Sequence, residues 1–308
     1  MASFRTGATF ALGLALVLAC VARVRADEPI QKADDQQRSA TQEPAAPSSP
    51  RPMAEPKSYP LRLGGELVSD FKWSVNNLAQ DGVDVVKSPC KIPDLVTDPW
   101  FYYAGAGSAA VFFTSYSLDE TARKTFMKIS LNDATHLDNI GTAALWSATG
   151  LLYGYGFLFE DARARQYALT GLLSTAVATA VTNLLKVTFR RDRPFQNNGH
   201  HAWFDTGESF VSGAATPVFA LATEISEYAD NRWYVAIPAY AAAASVGLGR
   251  MGNDAHWLSD IAGSALLGVG TTELLLHMHA LHDVDPTRFR IFPMVAGHTM
   301  GVGVTVAF

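Results

Sequence analysis

Long apolar segments rich in alanine and glycine follow one another through the middle of the chain. Most are too long for strands, and alanine and leucine favour helix. Six such segments run over Trp100–Tyr116, Ile140–Phe159, Tyr167–Leu185, Phe210–Ile225, Trp233–Gly249 and Ile261–Leu276. The pattern predicts an all-α fold, a six-helix bundle that occupies residues 100–284.

The segments that flank this bundle have different patterns. Residues 61–99 form a lead-in whose stretch Glu66–Val86 repeats apolar residues at three- and four-residue spacing, at Leu67, Phe71, Val75 and Leu78. This spacing predicts an amphipathic helix that packs on the core, with a membrane-surface helix as the alternative. In the C-terminal tail, residues 285–308, valines alternate with small residues from Val302 to Val306, which predicts a short strand.

The N-terminus has the features of an export signal. Arg5 precedes the apolar stretch Ala8–Ala22, and Val24-Arg25-Ala26 offers small residues before a cleavage position. Residues 1–26 are therefore predicted to be a signal peptide, with lipidation at Cys20 as the alternative. Residues 27–60 contain seven prolines among polar residues, which predicts a disordered linker because such a composition buries little apolar surface.

Composition narrows the possible functions. The net charge is −5, whereas a nucleic-acid-binding protein is normally basic. Cys20 and Cys90 are the two cysteines, too few for a disulfide framework or a cysteine-based zinc site. Hydrophobic residues make up 48% of the chain and charged residues 17%, which suits a large core or helices near a membrane.

Two locations are compatible with these helices. Four of them are uncharged for about the length that a bilayer requires. Membrane-spanning helices after an export signal would, however, place the chemical motifs described below on the cytoplasmic side. They would also place Glu224 and Glu273 inside spans, where carboxylates are costly. We therefore favour an exported bundle in the periplasm or cell envelope that contacts a membrane surface, with a multi-pass inner-membrane protein as the alternative.

Three polar segments interrupt the apolar pattern. They are Lys186–Pro194 after the third helix, Ser209–Ala214 at the start of the fourth, and Gly249–Asp260 before the sixth. Each alone has an ordinary explanation: a basic run complements a helix C-terminus, Ser-Gly begins a helix, and His and Asp four apart share a helix face. Together they contain the groups that a phosphate site requires.

The first of these groups is positive charge. Arginine offers planar, bidentate donors to phosphate oxygens, so Lys186, Arg193 and Arg250 are candidates for a cationic cage. A helix N-terminus at Ser212-Gly213 adds backbone N–H groups, and the glycine allows close approach.

The second group is a nucleophile. A neutral imidazole nitrogen attacks phosphorus near pH 7, which makes His256 the candidate. Asp260, one turn later, would hold the tautomer and stabilise the charged imidazole. Since the cage itself neutralises developing charge, the site is predicted to need no metal and no other cofactor.

At these residues the chain resembles the type 2 phosphatidic acid phosphatase and vanadium haloperoxidase superfamily. Its signature is Lys, six residues and Arg-Pro; then Pro-Ser-Gly-His; then Ser-Arg, five residues, His, three residues and Asp. The matching positions are Lys186, Arg193, Pro194, Ser212, Gly213, Arg250, His256 and Asp260, with Gly249 in place of the serine before the arginine. The resemblance implies a helical bundle that removes phosphate through a phosphohistidine on His256. It gives the phosphate-binding roles to Lys186, Arg193, Ser212, Gly213 and Arg250.

The second motif departs from the signature at two positions. Val211 replaces its proline, and Ala214 replaces the histidine that acts as the family's general acid. Losing a general acid costs on the order of 10²–10⁴ in rate, most for a poor leaving group. Four residues of the preceding loop are candidate substitutes for the lost acid: His200, His201, Asp205 and Glu208.

These observations predict an exported lipid phosphate phosphatase-like protein that hydrolyses phosphomonoesters or diphosphates, with Ala214 lowering or abolishing the activity. Its partners would be a phosphorylated lipid or small phosphate ester and a membrane surface, with no nucleic acid. One alternative is a pseudoenzyme that binds phosphate or lipid. The other is a vanadate-dependent haloperoxidase, since vanadate could occupy the same cage.

Overall fold

A computed structural model describes residues 64–81, 99–284, 289–296 and 299–306. The predicted signal peptide, the linker, Cys20 and Cys90 lie outside these residues. The domain boundaries at residues 26, 60, 99 and 284 stay predictions.

Helices dominate the described residues, and the predicted all-α class is confirmed. Eight α-helices occur in these ranges. They are α1 (64–81), α2 (Pro99–Ser117), α3 (Asp119–Phe126), α4 (Leu131–Leu158), α5 (Ala162–Phe189), α6 (Ala215–Tyr228), α7 (Trp233–Gly252) and α8 (Leu258–Val284). The predicted count of six is approximate, because α1 and the short α3 join the six long helices.

Local capping explains two helix starts that the apolar pattern did not locate. The Ser130 side chain accepts a hydrogen bond from the Asp133 N–H, so α4 begins well before Ile140, within a polar stretch. Asp161 accepts in the same way from Ala164 at 3.0 Å and begins α5. Polar residues continue a helix readily once a cap has satisfied its first N–H groups.

Helix α6 lies at the centre of the bundle. It packs against α4, α5, α7 and α8, and most of its side chains are buried. Its start lies later than predicted, since α6 begins at Ala215 and not at Phe210. The backbone N–H groups before α6 make hydrogen bonds outside the helix. The Ser209 N–H donates to Arg191 O, and the Ser212 N–H donates to Ser264 Oγ.

Helix α1 packs on the bundle through its polar face. Asp70 and Asp81 are buried, with ion-pair contacts to Arg165 at 3.1 Å and His279 at 3.1 Å. Three of the four predicted core residues point outward, with 53–68% of their surface exposed: Leu67, Phe71 and Leu78. The prediction that this apolar face packs on the core is therefore wrong, because charged partners inside the bundle hold the opposite face.

Large apolar side chains are exposed over much of the bundle surface. Leu131, Leu151, Phe159, Val187 and Trp233 each expose 66–74% of their surface. Helical stretches Ala162–Gln196 and Leu258–Ala280 are long and apolar enough to cross a membrane. An apolar surface of this kind marks contact with lipid or protein, and it is consistent with membrane association of the protein.

The C-terminal tail contains a β-hairpin where one short strand was predicted. Strand β1 (Phe289–Ala296) pairs antiparallel with β2 (Thr299–Val306), from Phe289 opposite Val306 to Ala296 opposite Thr299. The alternating valines belong to β2, and the partner strand was missed because Pro293 lies within it.

Candidate active site

The three polar segments meet at one end of the bundle. Lys186 lies in the last turn of α5, which ends at Arg190 in a left-handed conformation. Arg250 lies in the last turn of α7, and a short connection carries His256 to the start of α8. The start of α6 completes the group. Four helix ends thus place residues that are far apart in sequence around His256.

The His256 imidazole is almost completely buried and held by its Nδ1 atom. Nδ1 lies 2.8 Å from the Ser209 carbonyl oxygen and 3.6 Å from Asp260 Oδ2. A carbonyl oxygen only accepts, so Nδ1 carries the proton and Nε2 has the lone pair. Burial lowers the pKa of His256, although Asp260 acts in the opposite direction. His256 is therefore neutral at pH 7, in the tautomer that a nucleophile needs.

Asp260 is fully buried and surrounded by donors. The Trp257 N–H donates to Oδ2 at 2.9 Å, Ser209 Oγ also donates to Oδ2, and Arg191 Nη1 donates to Oδ1 at 2.6 Å. Burial raises the pKa of Asp260, but Arg191 and the hydrogen bonds outweigh it and lower the pKa to about 2. The carboxylate beside the imidazole is therefore ionised.

The predicted cationic residues approach the same place. Burial lowers the pKa of Lys186, and the nearby positive charges of Arg193 and Arg250 lower it further. The same two arginines also lower the pKa of His256. Arg250 keeps one contact to the α4 side, with Nη1 3.3 Å from Asp138 Oδ2. Several cationic groups therefore act on the region around His256, an arrangement that suits a bound phosphate.

Ser212, Gly213 and Ala214 occupy different environments at the start of α6. Ser212 is fully buried, and its Oγ accepts from the Ala215 N–H at 3.3 Å, so its side chain caps the helix. Gly213 is exposed, and a Cβ there would lie 3.7 Å from Lys186 Nζ. Ala214 is half-buried and supplies no side-chain cap.

Gly249, where the family signature has serine, lies against α4. A Cβ at this position would be 2.5 Å from the Ala134 carbonyl oxygen and 2.8 Å from the Asp138 nitrogen. Atoms do not approach so closely, so a serine here would force α4 and α7 apart. The glycine at this position therefore follows from the close packing of α4 and α7.

The loop residues considered as substitute acids are not equivalent. His201 Nδ1 lies 2.8 Å from the Tyr116 hydroxyl, and His200 Nδ1 lies 3.3 Å from Glu120 Oε1. Both histidines are therefore engaged with α2 and α3. Glu208 is exposed and close enough to raise the pKa of Lys186. It is the one of these residues whose charge acts on a predicted phosphate ligand.

Three residues of the site were not predicted as members. Ser209 contacts both His256 and Asp260, and Arg191 links Asp260 to Asp119 on α3. Arg191 and Ser209 lie within the polar segments, so their position was a signal. Asp119 is 72 residues from Arg191 along the chain, and nothing in its sequence surroundings indicates the contact.

The site therefore consists of cationic side chains around a buried histidine–carboxylate pair at one end of a helical bundle. The family model described as "PAP2 superfamily" matches residues 167–284, which include all seven predicted site residues. This match confirms the resemblance to the PAP2 superfamily that the motifs indicated.

The chain is also similar to two other proteins. The chain is 25% identical over 181 residues to the lipid A 1-phosphatase of Porphyromonas gingivalis, covering 58% of this chain and 39% of that protein. A crystal structure described as the first transmembrane PAP2 type phosphatidylglycerolphosphate phosphatase from Bacillus subtilis is 21% identical. That alignment covers 60% of this chain and 98% of the other, with a TM-score of 0.43.

Proposed function

We propose that this protein is a membrane-associated lipid phosphate phosphatase that works through a phosphohistidine and favours diphosphates over monoesters. The observation that carries the proposal is the hydrogen bond of 2.8 Å between His256 Nδ1 and the Ser209 carbonyl. It leaves the Nε2 lone pair for attack on phosphorus. The relative from Porphyromonas gingivalis, named as a lipid A 1-phosphatase, supports the substrate class.

In the first step, Nε2 forms a bond to phosphorus while the leaving oxygen takes the electron pair of the broken P–O bond. Lys186, Arg193 and Arg250 offset the charge on the phosphoryl oxygens. The N–H groups of Gly213 and Ala214 at the start of α6 are further candidates for these oxygens. Water then attacks phosphorus, the N–P bond breaks, and His256 becomes neutral again. No step draws on a metal or other cofactor.

Ala214 determines the substrate preference in this proposal. A monoester expels an alkoxide, which needs a proton from an acid as it departs. A diphosphate expels a phosphate ester, a much weaker base that departs without one. With alanine at position 214, the first reaction is slowed strongly and the second only slightly.

A phosphate- or lipid-binding pseudoenzyme is the second candidate, favoured by the same absence of an acid at position 214. Vanadate-dependent haloperoxidase activity is less well supported, because the missing histidine assists acid–base chemistry in that branch of the family too. Export to the periplasm or cell envelope remains part of the proposal.

Phosphate release from purified protein in detergent tests the proposal. The panel contains one polyprenyl diphosphate, phosphatidate and one short-chain phosphate monoester. We expect phosphate release from the diphosphate and much slower release from both monoesters. Vanadate binding without release from any of the three would establish the pseudoenzyme instead.

A further inference from the structure

A buried arginine links the candidate active site to a helix that carries no recognised motif. Arg191 is fully buried between two carboxylates: Nη1 donates to Asp260 Oδ1 at 2.6 Å, and Nη2 donates to Asp119 Oδ2 at 2.6 Å. Ser259 joins them, since its Oγ accepts from Arg191 at 2.7 Å and donates to Asp119 at 2.7 Å. We call these four residues the Arg191 cluster.

Aromatic rings enclose the guanidinium on several sides. Its central carbon lies 4.5 Å from the Trp203 ring centroid, 5.3 Å from Tyr116 and 5.5 Å from Trp257. Rings at these distances exclude water and attract a cation to their faces. The ion pairs of Arg191 are therefore weakly screened, and they act on Asp260 much more strongly than a surface pair would.

The charges of the Arg191 cluster match the needs of the proposed nucleophile. Two carboxylates and one guanidinium leave one net negative charge when both carboxylates are ionised. His256 lies 3.6 Å from Asp260 Oδ2 and becomes positively charged when Nε2 takes the phosphoryl group. One negative charge held in place before the reaction stabilises that product without rearrangement.

Geometry also assigns separate tasks to the two oxygens of Asp260. Oδ1 is occupied by Arg191, whereas Oδ2 receives Trp257 N and Ser209 Oγ on the side that faces His256. Rotation of the carboxylate would break both sets of contacts at once. Arg191 therefore fixes the orientation as well as the charge of this group.

We propose that Arg191 is a positioning residue that holds Asp260 ionised and correctly oriented beside the His256 nucleophile, with Asp119 as its anchor on α3. The inference rests on the proposed phosphohistidine mechanism and adds the cluster on which that step depends. Both Nη atoms of the fully buried Arg191 are occupied by protein acceptors, so Arg191 acts through Asp260 and not as a phosphate ligand.

The pH dependence of the reaction tests this role. His256 and Asp260 titrate as a coupled pair. The pair is active only when His256 is neutral and Asp260 is ionised, and one further proton inactivates it. Removing a cation makes the pair take up that proton at higher pH, whichever residue receives it. In Arg191→Met we expect the acid limb of the pH–rate profile for diphosphate hydrolysis to move to higher pH by about one unit or more. The kcat should fall about 10- to 100-fold, as for other groups that orient a reacting side chain. KM should change little.

Matched variants separate this role from simple stabilisation. Arg165 is the other well-buried arginine among the described residues, and it pairs with Asp70 on α1. Arg165→Met should lower the unfolding temperature without moving the acid limb. Arg191→Lys, which can reach one carboxylate but not both, should recover part of the rate and part of the limb position.

Asp119→Asn is the second variant, for the case in which Arg191→Met does not fold. It removes an anion, so the acid limb should stay or move to lower pH, the opposite direction to Arg191→Met. An unmoved limb in folded Arg191→Met, or an upward shift in Asp119→Asn, would overturn the inference. A ¹⁵N-histidine NMR titration of His256 in the substrate-free protein gives the same comparison without turnover.

The variant His256→Ala separates a failure of the Arg191 inference from a failure of the proposed phosphohistidine mechanism. If His256→Ala keeps its hydrolysis rate, the phosphohistidine mechanism is wrong. If His256→Ala is inactive while the limb of Arg191→Met is unchanged, only the role of Arg191 is wrong.

Discussion

The side of the site that carries His256 and the side that carries Ala214 are built very differently. On the first side, His256 and Asp260 are buried and joined to Ser209 and Arg191 by short hydrogen bonds. On the second side, the half-buried Ala214 directly precedes α6, and its methyl group can make no hydrogen bond. The His256 side is hydrogen-bonded into the core of the bundle, whereas the side chain at position 214 takes no part in such a network.

This difference has a physical consequence. Removing one member of a buried polar network leaves its partners desolvated and unpaired, which costs stability as well as function. No described side chain depends on position 214 in this way. The two sides can therefore change independently, and a chain can lose the acid while it keeps a fully supported nucleophile.

The largest expected effect comes from breaking the His256 side at its nucleophile. With a lipid diphosphate labelled in its terminal phosphate, the protein should form an acid-labile, alkali-stable phosphoenzyme. His256→Ala should abolish this labelling completely, because no nitrogen remains to accept the phosphoryl group. His279→Gln, at another buried histidine on α8, is the control and should keep the label. Equal labelling in His256→Ala would place the nucleophile elsewhere.

A smaller effect is expected when the cationic cage is weakened. Arg250→Ala should reduce vanadate affinity by about 1.5–3 kcal/mol, roughly tenfold to a hundredfold, as expected for a charge-assisted hydrogen bond. Calorimetry measures it directly. Arg163→Ala serves as the control, since Arg163 is exposed and pairs with Asp230 far from the site. Asp138→Asn should not weaken binding, because Asp138 competes for Arg250. Unchanged affinity in Arg250→Ala would remove this arginine from the cage.

A third effect concerns stability in the core shared by both sides and not the chemistry of the site. Burial raises the pKa of Glu224 on α6 from 4.5 to about 8, although a hydrogen bond from Thr149 opposes the shift. The unfolded chain ionises this group freely, so its contribution is complete below pH 4.5 and is lost as the pH rises towards 8.

Glu224→Gln should therefore gain stability relative to the wild type between pH 5 and pH 8. Chemical denaturation at the two pH values gives this difference. Glu227→Gln, on the same helix but partly exposed, is the matched control. A stability difference between wild type and Glu224→Gln that is the same at both pH values would contradict the assignment.

The sequence predicted those features that depend on local pattern. The long helices follow from composition, and residue type together with the family motifs indicated the site residues Lys186, Arg193, Arg250, His256 and Asp260. The orientation of α1 could not be predicted, because an apolar stripe does not reveal whether protein or lipid will cover it. Its buried charges meet Arg165 and His279, which are distant in sequence.

The Arg191 cluster was missed for a related reason. Arg191 is one of several arginines in a basic run, and only the fold selects it as the buried one. Asp119 follows a helix that was predicted from apolar residues, and its charge gave no indication of a partner. Contacts of this kind are fixed by tertiary packing and leave no periodic trace in the sequence.

Ala214→His tests most directly the claim that one side of the site is complete and the other lacks its acid. Position 214 is half-buried and packs against the hydrophobic core, so each variant is first shown to fold. The measurement is kcat/KM for phosphatidate and for a polyprenyl diphosphate, in wild type, Ala214→His and Ala214→Asn. The account predicts that histidine raises the monoester value about tenfold or more. It also predicts little change for the diphosphate, and no gain for either substrate with asparagine. An equal gain on both substrates, or no gain on the monoester in a folded variant, would contradict it.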